Sequence, residues 1–397
     1  MDLVYQLVTQ LYPAFATWPA WLTVTIAVLL SGGVLMTVVA LGPIVYVYAE
    51  RKISAFMQDR LGPMRVGPYG LLQTIADTIK LLLKEAIFPR DVEKPLFVLG
   101  PCLVVTGSFF ALVVLPLGSR LQVVDLNVGL LFVVAVSSLS TVGLIMAGWA
   151  SNNKYSLFGA MRSAAQIVSY EIPEVLALLS VVMIVGSLSL QDIVWAQAGG
   201  IQNWLLFRYF PLMHVAFAVF FLAGLAECNR TPFDIPEAES ELVAGFHTEY
   251  SGFFFAMFFM AEYTEMFVIS VVASVLFLGG WHAPLPALQQ IGPVGLGPAW
   301  IVIKAWALML VMMWLRWTLP RLRVDQLMHV AWKVLLPAAL GLTVVIGGLL
   351  VVPATRNGFP WDRFCFPITL AAVAVPLLRV AFAARRWQAR RDAELSR

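Results

Sequence analysis

Nine stretches of mostly apolar residues, most of them about 20 residues long, leave this chain few ways to fold. They lie near 21–48, 96–118, 129–150, 165–188, 208–228, 252–280, 298–319, 331–352 and 364–384. A bilayer core has no water to bond exposed N–H and C=O groups. A run of this length is stable there only as a helix that bonds its own backbone. The composition agrees, with 60% hydrophobic and 12% charged residues, about half the charged fraction of a soluble domain. The expected fold class is an all-α polytopic membrane protein. Residues 1–397 form a single membrane domain of about nine transmembrane helices, with one interfacial amphipathic helix.

Lys and Arg set the orientation. With the N-terminus outside, the inner segments are 49–95, 151–164, 229–251, 316–333 and 379–397, and they hold 21 Lys and Arg. The outer segments hold 4: Arg120, Arg208, Arg356 and Arg363. That asymmetry is the positive-inside pattern and places the C-terminus in the cytoplasm. Met1 to Pro19 lacks Lys and Arg, so no cleaved signal peptide is expected.

Segment 49–95 bends at Gly62-Pro63 and Gly67-Pro68. Over 68–88 the helical period puts Leu71, Leu72, Ile75, Ile79, Leu82, Leu83 and Ala86 on one face. Gln73, Asp77, Lys80 and Lys84 fall on the other. Such a helix lies in the membrane surface rather than across it.

Several carboxylates fall inside the spans. Glu171 and Glu174 share a face of the fourth helix, on either side of Pro173, and Glu262 and Glu265 repeat the spacing in the sixth. Glu227 closes the fifth. An ionised carboxylate at the bilayer centre costs at least ~2.5 kcal/mol, so each must be paired, hydrated or protonated, and each is a candidate proton carrier. Glu174 and Glu265 carry the weakest argument, since a position near a helix end would leave them simply solvated.

The loop 229–251 runs against the charge trend of the other inner segments. It holds Asp234, Glu237, Glu239, Glu241 and Glu249 against the lone basic Arg230. Pro232, Phe233, Ile235, Pro236, Leu242, Val243 and Phe246 are interleaved, which points to packing rather than a solvated charge run. The basic cluster Arg51, Lys52, Arg60 and Arg65 suits either a headgroup anchor or a partner for carboxylates.

Cys102, Cys228 and Cys365 lie far apart, and His214, His247, His282 and His329 have no ligand spacing. The sequence has no P-loop, GxGxxG, nucleophile elbow or metalloprotease motif. No cofactor is expected on this chain itself, and nothing points to nucleic acid.

Three long blocks carry a resemblance: ERKISAFMQDRLGPMRVGPYGLLQTIADTIKLLLKE (50–85), GWASNNKYSLFGAMRSAAQIVSYE (148–171) and AECNRTPFDIPEAESELVAGFHTEYSG (226–252). They resemble the H-subunit family of complex I, the NADH–quinone oxidoreductase, and the likeness runs from the first helix to about the eighth. The resemblance implies a membrane subunit that joins the membrane arm to the hydrophilic redox arm, and the Ala- and Arg-rich composition points to a bacterial inner membrane. It implies a tunnel for ubiquinone or menaquinone, with Arg51, Lys52, Arg60, Asp77, Phe233 and Asp234 as tunnel residues. A proton path would start at Glu171, Glu227, Glu237, Glu239, Glu241, Glu249 and Glu262. NADH, FMN and iron–sulfur clusters would sit in partner subunits. The partners implied are hydrophilic quinone-site subunits, small membrane-arm subunits and membrane lipid. Glu174 and Glu265 fall outside the family pattern, and the segment 364–397 occurs in only some members.

The mechanism expected is that quinone reduction alters how the acidic loop holds protons. Glu227, Glu237, Glu239 and Glu241 would sense the change, and Asp77, Glu171 and Glu262 would relay it. A membrane subunit of an energy-converting nickel–iron hydrogenase shares the fold and the acidic loop, though the complete first block favours the quinone enzyme. A stand-alone ion transporter is a third class, opposed by the lack of internal repeats.

Overall fold

The computed structural model of the chain describes residues 20–119, 121–235, 242–285 and 297–351. Among these the regular elements are all helical: α1 (Ala20–Met57), α2 (Gln73–Leu83), α3 (Lys94–Val114), α4 (Gly129–Ala150), α5 (Lys154–Val185), α6 (Leu190–Trp195), α7 (Leu205–Arg208), α8 (Leu212–Glu227), α9 (Gly252–Phe277), α10 (Gly297–Thr318), α11 (Val324–His329) and α12 (Leu336–Val351), with short 3-10 turns between some of them. A π-helical turn, Val330–Leu335, joins α11 to α12 in one run. Among the described residues, seven helices are long and apolar enough to cross a membrane. The chain is a multi-pass, all-α membrane protein. Met1–Pro19 and the span expected at 364–384 lie outside the described residues.

Helix ends depart from the hydropathy pattern where polar residues find partners. Hydropathy ends the first span at 48, yet α1 continues through Glu50, Arg51 and Lys52 to Met57. Each of the three is satisfied by a tertiary bond, and Lys52 Nζ donates to the Pro63 carbonyl at 2.8 Å. Hydropathy starts the fourth span at 165, yet α5 starts at Lys154. There the Asn153 side chain accepts from the Tyr155 N–H at 2.9 Å and caps the helix. The fifth run is broken at Pro211, which has no N–H to continue a helix, so α8 spans only 16 residues. That is about 24 Å of rise, less than a full bilayer core.

Helix α9 is the centre of the bundle. Every residue from Tyr263 to Phe277 is buried, and α1, α2, α3, α8 and α10 pack around it. Its buried hydroxyls bond the preceding turn, as in Ser270 to the Met266 carbonyl and Ser274 to the Ser270 carbonyl, both at 2.8 Å, which removes the cost of burying a lone O–H. Helices α3 and α4 touch backbone to backbone. A Cβ at Gly143 would lie 2.9 Å from the Gly100 carbonyl oxygen, so any larger residue would force them apart.

The surface helix keeps its apolar side outward. Ile75, Ile79, Leu82 and Leu83 are exposed, whereas Thr74 is buried. In a lipid surround that is the stable arrangement, and it turns Asp77 toward the bundle.

The described parts of the acidic loop are packed. Phe233, Ile235, Leu242 and Phe246 are buried. Gln166 of α5 donates to the carbonyls of Ala226 at 2.7 Å and Phe233 at 2.6 Å. Ser156 donates to the Phe246 carbonyl at 2.9 Å, and Asn153 donates to Glu249 at 2.5 Å.

Candidate functional site: a charged cavity joined to a line of buried acids

A cavity of about 480 Å³ opens where α1, α2, α9 and α10 meet. Pro43, Ile44, Val47, Phe255, Phe259 and Met260 give it an apolar wall, and Glu50, Arg51, Asp77, Lys80, Tyr263 and Arg316 give it a polar one. A mostly apolar pocket with a few converging polar groups suits a lipophilic molecule with a polar head.

Glu50 organises the polar wall. It is 5% exposed, accepts from the Tyr263 hydroxyl at 2.6 Å and pairs with the Arg316 guanidinium. Arg230, from the acidic loop, lies 3.8 Å from Glu50 and 3.8 Å from Glu262, with its guanidinium 4.2 Å over the Tyr263 ring. Buried charges persist only when compensated in this way. On the α2 side, Arg51 and Asp77 form an ion pair at 2.6 Å, and Gln73 donates to the second Asp77 oxygen at 3.2 Å.

Beyond Arg230 the acids continue inward. Glu262, Glu265 and Glu227 line a void of about 30 Å³ together with Ser108 and Ser140. Glu227, Glu265 and Glu174 line a second, of about 20 Å³, with Ser137. Each can hold a water molecule, which needs about 10–15 Å³ and polar partners. Ser108 donates to Glu265 at 3.0 Å, Glu174 and Glu227 face the same void, and Ser138 donates to Glu171.

The residues singled out in the sequence therefore divide. Arg51 and Asp77 line the cavity. Lys52 turns to Pro63 and Met64, and Arg60 bonds Gln58 at 2.6 Å on the surface. Phe233 packs edge-on against Tyr170 at 5.3 Å, and neither it nor Asp234 reaches the lining. Glu227 and Glu262 join one line with Glu174 and Glu265, which are buried rather than solvated at helix ends, the alternative that weakens their case in the sequence alone. Glu171 sits beside this line, half-buried on α5. Glu249 stays in the loop with Asn153. Glu237, Glu239 and Glu241 lie outside the described residues.

Sequence reasoning missed Glu50, Tyr263, Arg230 and Arg316 as one cluster. The available signals were a lone Glu inside the basic run, the Tyr between two span carboxylates, and the single Arg of the acidic loop.

Comparison with known proteins agrees with this architecture. Residues 30–347 match the family model described as NADH dehydrogenase. The chain is 55% identical over 303 residues to the H subunit of the NADH-quinone oxidoreductase of Chlorobaculum parvum, covering 74% of this chain and 84% of that protein. It is 50% identical over 336 residues to the corresponding H subunit of Geobacillus thermodenitrificans, covering 83% and 97%. A third relative of the same name, from Chlorobium luteolum, is 52% identical over 324 residues, covering 79% and 87%. With most of its length matched at this identity, the chain belongs to the family of NADH-quinone oxidoreductase H subunits.

Proposed function

We propose that the cavity between α1, α2, α9 and α10 admits a quinone from the bilayer, and that the acids from Glu262 to Glu171 carry protons set in motion by its reduction. The observation that supports this reading is Arg230, which touches the cavity wall through Glu50 and the acid line through Glu262. A change of charge in the cavity is felt by both carboxylates through one guanidinium, since electrostatic interactions are strong where water is scarce.

Quinone takes two electrons and two protons to become quinol. In this reading the electrons come from an iron–sulfur cluster of a neighbouring hydrophilic protein, supplied by NADH and FMN in further partners. This chain's own residues do three things. The apolar wall holds the ligand. Arg51, Asp77, Tyr263 and Arg316 orient its polar head. Glu262, Glu265, Glu227, Glu174 and Glu171, bridged by serines and water-sized voids, pass protons toward the α4–α5 face. Lys52, Arg60, Phe233 and Asp234 would brace the approach from the hydrophilic side, with Glu237, Glu239, Glu241 and Glu249 sensing quinone charge from the loop. The membrane is the bacterial inner membrane, with the acidic loop on the cytoplasmic side.

The test fills the cavity. Ala256 lines it, so Ala256→Trp in the assembled complex is expected to raise the quinone KM about tenfold. NADH oxidation by a soluble artificial acceptor should be unchanged. An unaltered quinone KM with the cavity filled would remove the reading.

A further inference from the structure

Far from the cavity along α10, Lys304 is buried inside the protein, and its three N–H bonds all go to backbone. Nζ donates to the carbonyls of Leu278 at 2.6 Å, Gly280 at 2.8 Å and His282 at 2.7 Å. Among the described residues it has no carboxylate partner. The face of Trp204, 4.0 Å away, completes the enclosure.

The three carbonyls belong to the chain leaving the end of α9. They converge because the backbone turns through two left-handed glycines, Gly279 at φ 72° and Gly280 at φ 50°. Neither tolerates a side chain. A Cβ on Gly279 would lie 2.4 Å from the Trp204 indole nitrogen, and one on Gly280 2.7 Å from a Val194 methyl. A helix end carries unsatisfied carbonyls and a partial negative charge, and an ammonium is the group that neutralises both. Lys304 of α10 therefore caps α9 at the carbonyl of its C-cap, Leu278, and pins the exit turn through Gly280 and His282, three directional bonds that fix one helix against the other.

Arg316 is on the same helix, 12 residues on, about 18 Å away by helical rise. No proline or glycine intervenes, so the segment moves as a rod. Arg316 pairs with Glu50 of α1, and Glu50 is held to α9 by Tyr263. Helix α10 is thus fastened at both ends, to the end of α9 by Lys304 and to the cavity wall by Arg316. A slip of one residue at Lys304 would displace the Arg316 head by about 1.5 Å and rotate it by about 100°.

We infer that Lys304 is a positioning residue for the cavity: by capping α9 it sets the register of α10 and so holds Arg316 on Glu50. The inference deepens the quinone reading and rests on it.

The test is a double-mutant cycle on the assembled complex, read as quinone KM against kcat. Lys304→Met keeps an unbranched side chain one atom shorter and removes all three bonds. It is expected to raise the quinone KM about fivefold, with kcat changed less than about twofold, and to add almost nothing in an Arg316→Lys background, because both act through one contact. If Lys304→Met blocks assembly, Lys304→Arg carries the same cycle, since its wider head cannot bond all three carbonyls in place. An unchanged KM in an assembled Lys304 variant, or an effect that multiplies in full with that of Arg316→Lys, overturns the inference. If Arg316→Lys alone leaves the KM unchanged, the inference falls together with the assignment of Arg316 to the quinone site. If Arg316→Lys acts and Lys304 does not, only the inference falls.

Discussion

Glu50 is buried and Glu227 half-buried within one membrane bundle, yet their surroundings are opposite. Glu50 has Arg316, Arg230 and the Tyr263 hydroxyl around it. Glu227 instead shares one void with Glu174 and Glu265 and another with Glu262 and Glu265. The first is a compensated charge, fixed in place as part of a binding wall. The second belongs to a row of carboxyls set around voids large enough for water. A fixed charge suits recognition, and a row of carboxyls joined by water-sized voids suits proton transport.

The comparison breaks most visibly at Arg230. Arg230→Met leaves Glu50 and Glu262 short of a cation in a buried setting, a change that costs about 3 kcal/mol or more. The thermal midpoint of the purified complex should fall, and Glu262→Gln in the same chain should restore part of the loss. A single mutant as stable as the parent would mean that water reaches the cluster and the compensation is not needed.

At Glu227 the expected cost moves from stability to transport. An amide has the shape of the carboxyl and keeps a polar group beside the voids, so Glu227→Gln should change stability by less than ~1 kcal/mol. Protons translocated per electron should drop on the order of tenfold, while the quinone KM stays near its parent value. Glu265→Gln should behave alike, because both residues line the two voids. The measurement is proton uptake against NADH oxidation in liposomes. A KM change without a change in the ratio would place these acids in the binding site instead.

The two groups were not equally legible in the sequence. Spans announce themselves by hydropathy, so Glu171, Glu174, Glu227, Glu262 and Glu265 stand out as acids where acids are costly. Their paired spacing also predicts a shared helix face. The compensated cluster is different. Tyr263 and Arg316 are 213 and 266 residues from Glu50 in sequence, and no periodicity links them. Glu50 itself reads as one more charge in a basic stretch, because its burial comes from α1 running past the point where hydropathy ends the span. Lys304 is hidden for a related reason: its partners are carbonyls, which have no sequence signature beyond the Gly279-Gly280 pair.

The smallest expected effect is at Asp77, and it sharpens the boundary of the cavity. The Arg51–Asp77 pair is short, but its side chains are 44% and 28% exposed. Ion pairs with that much solvent contribute about 0–1 kcal/mol. Asp77→Asn should therefore raise the quinone KM only about twofold at low salt. At about 1 M salt, where screening acts within ~3 Å, mutant and parent should converge. Glu50→Gln, buried beside two guanidinium groups, should keep its larger effect at both salt concentrations. If the Asp77→Asn defect exceeds tenfold or survives high salt, Asp77 contacts the ligand directly, and the fixed-charge wall extends from Glu50 across to the surface helix α2.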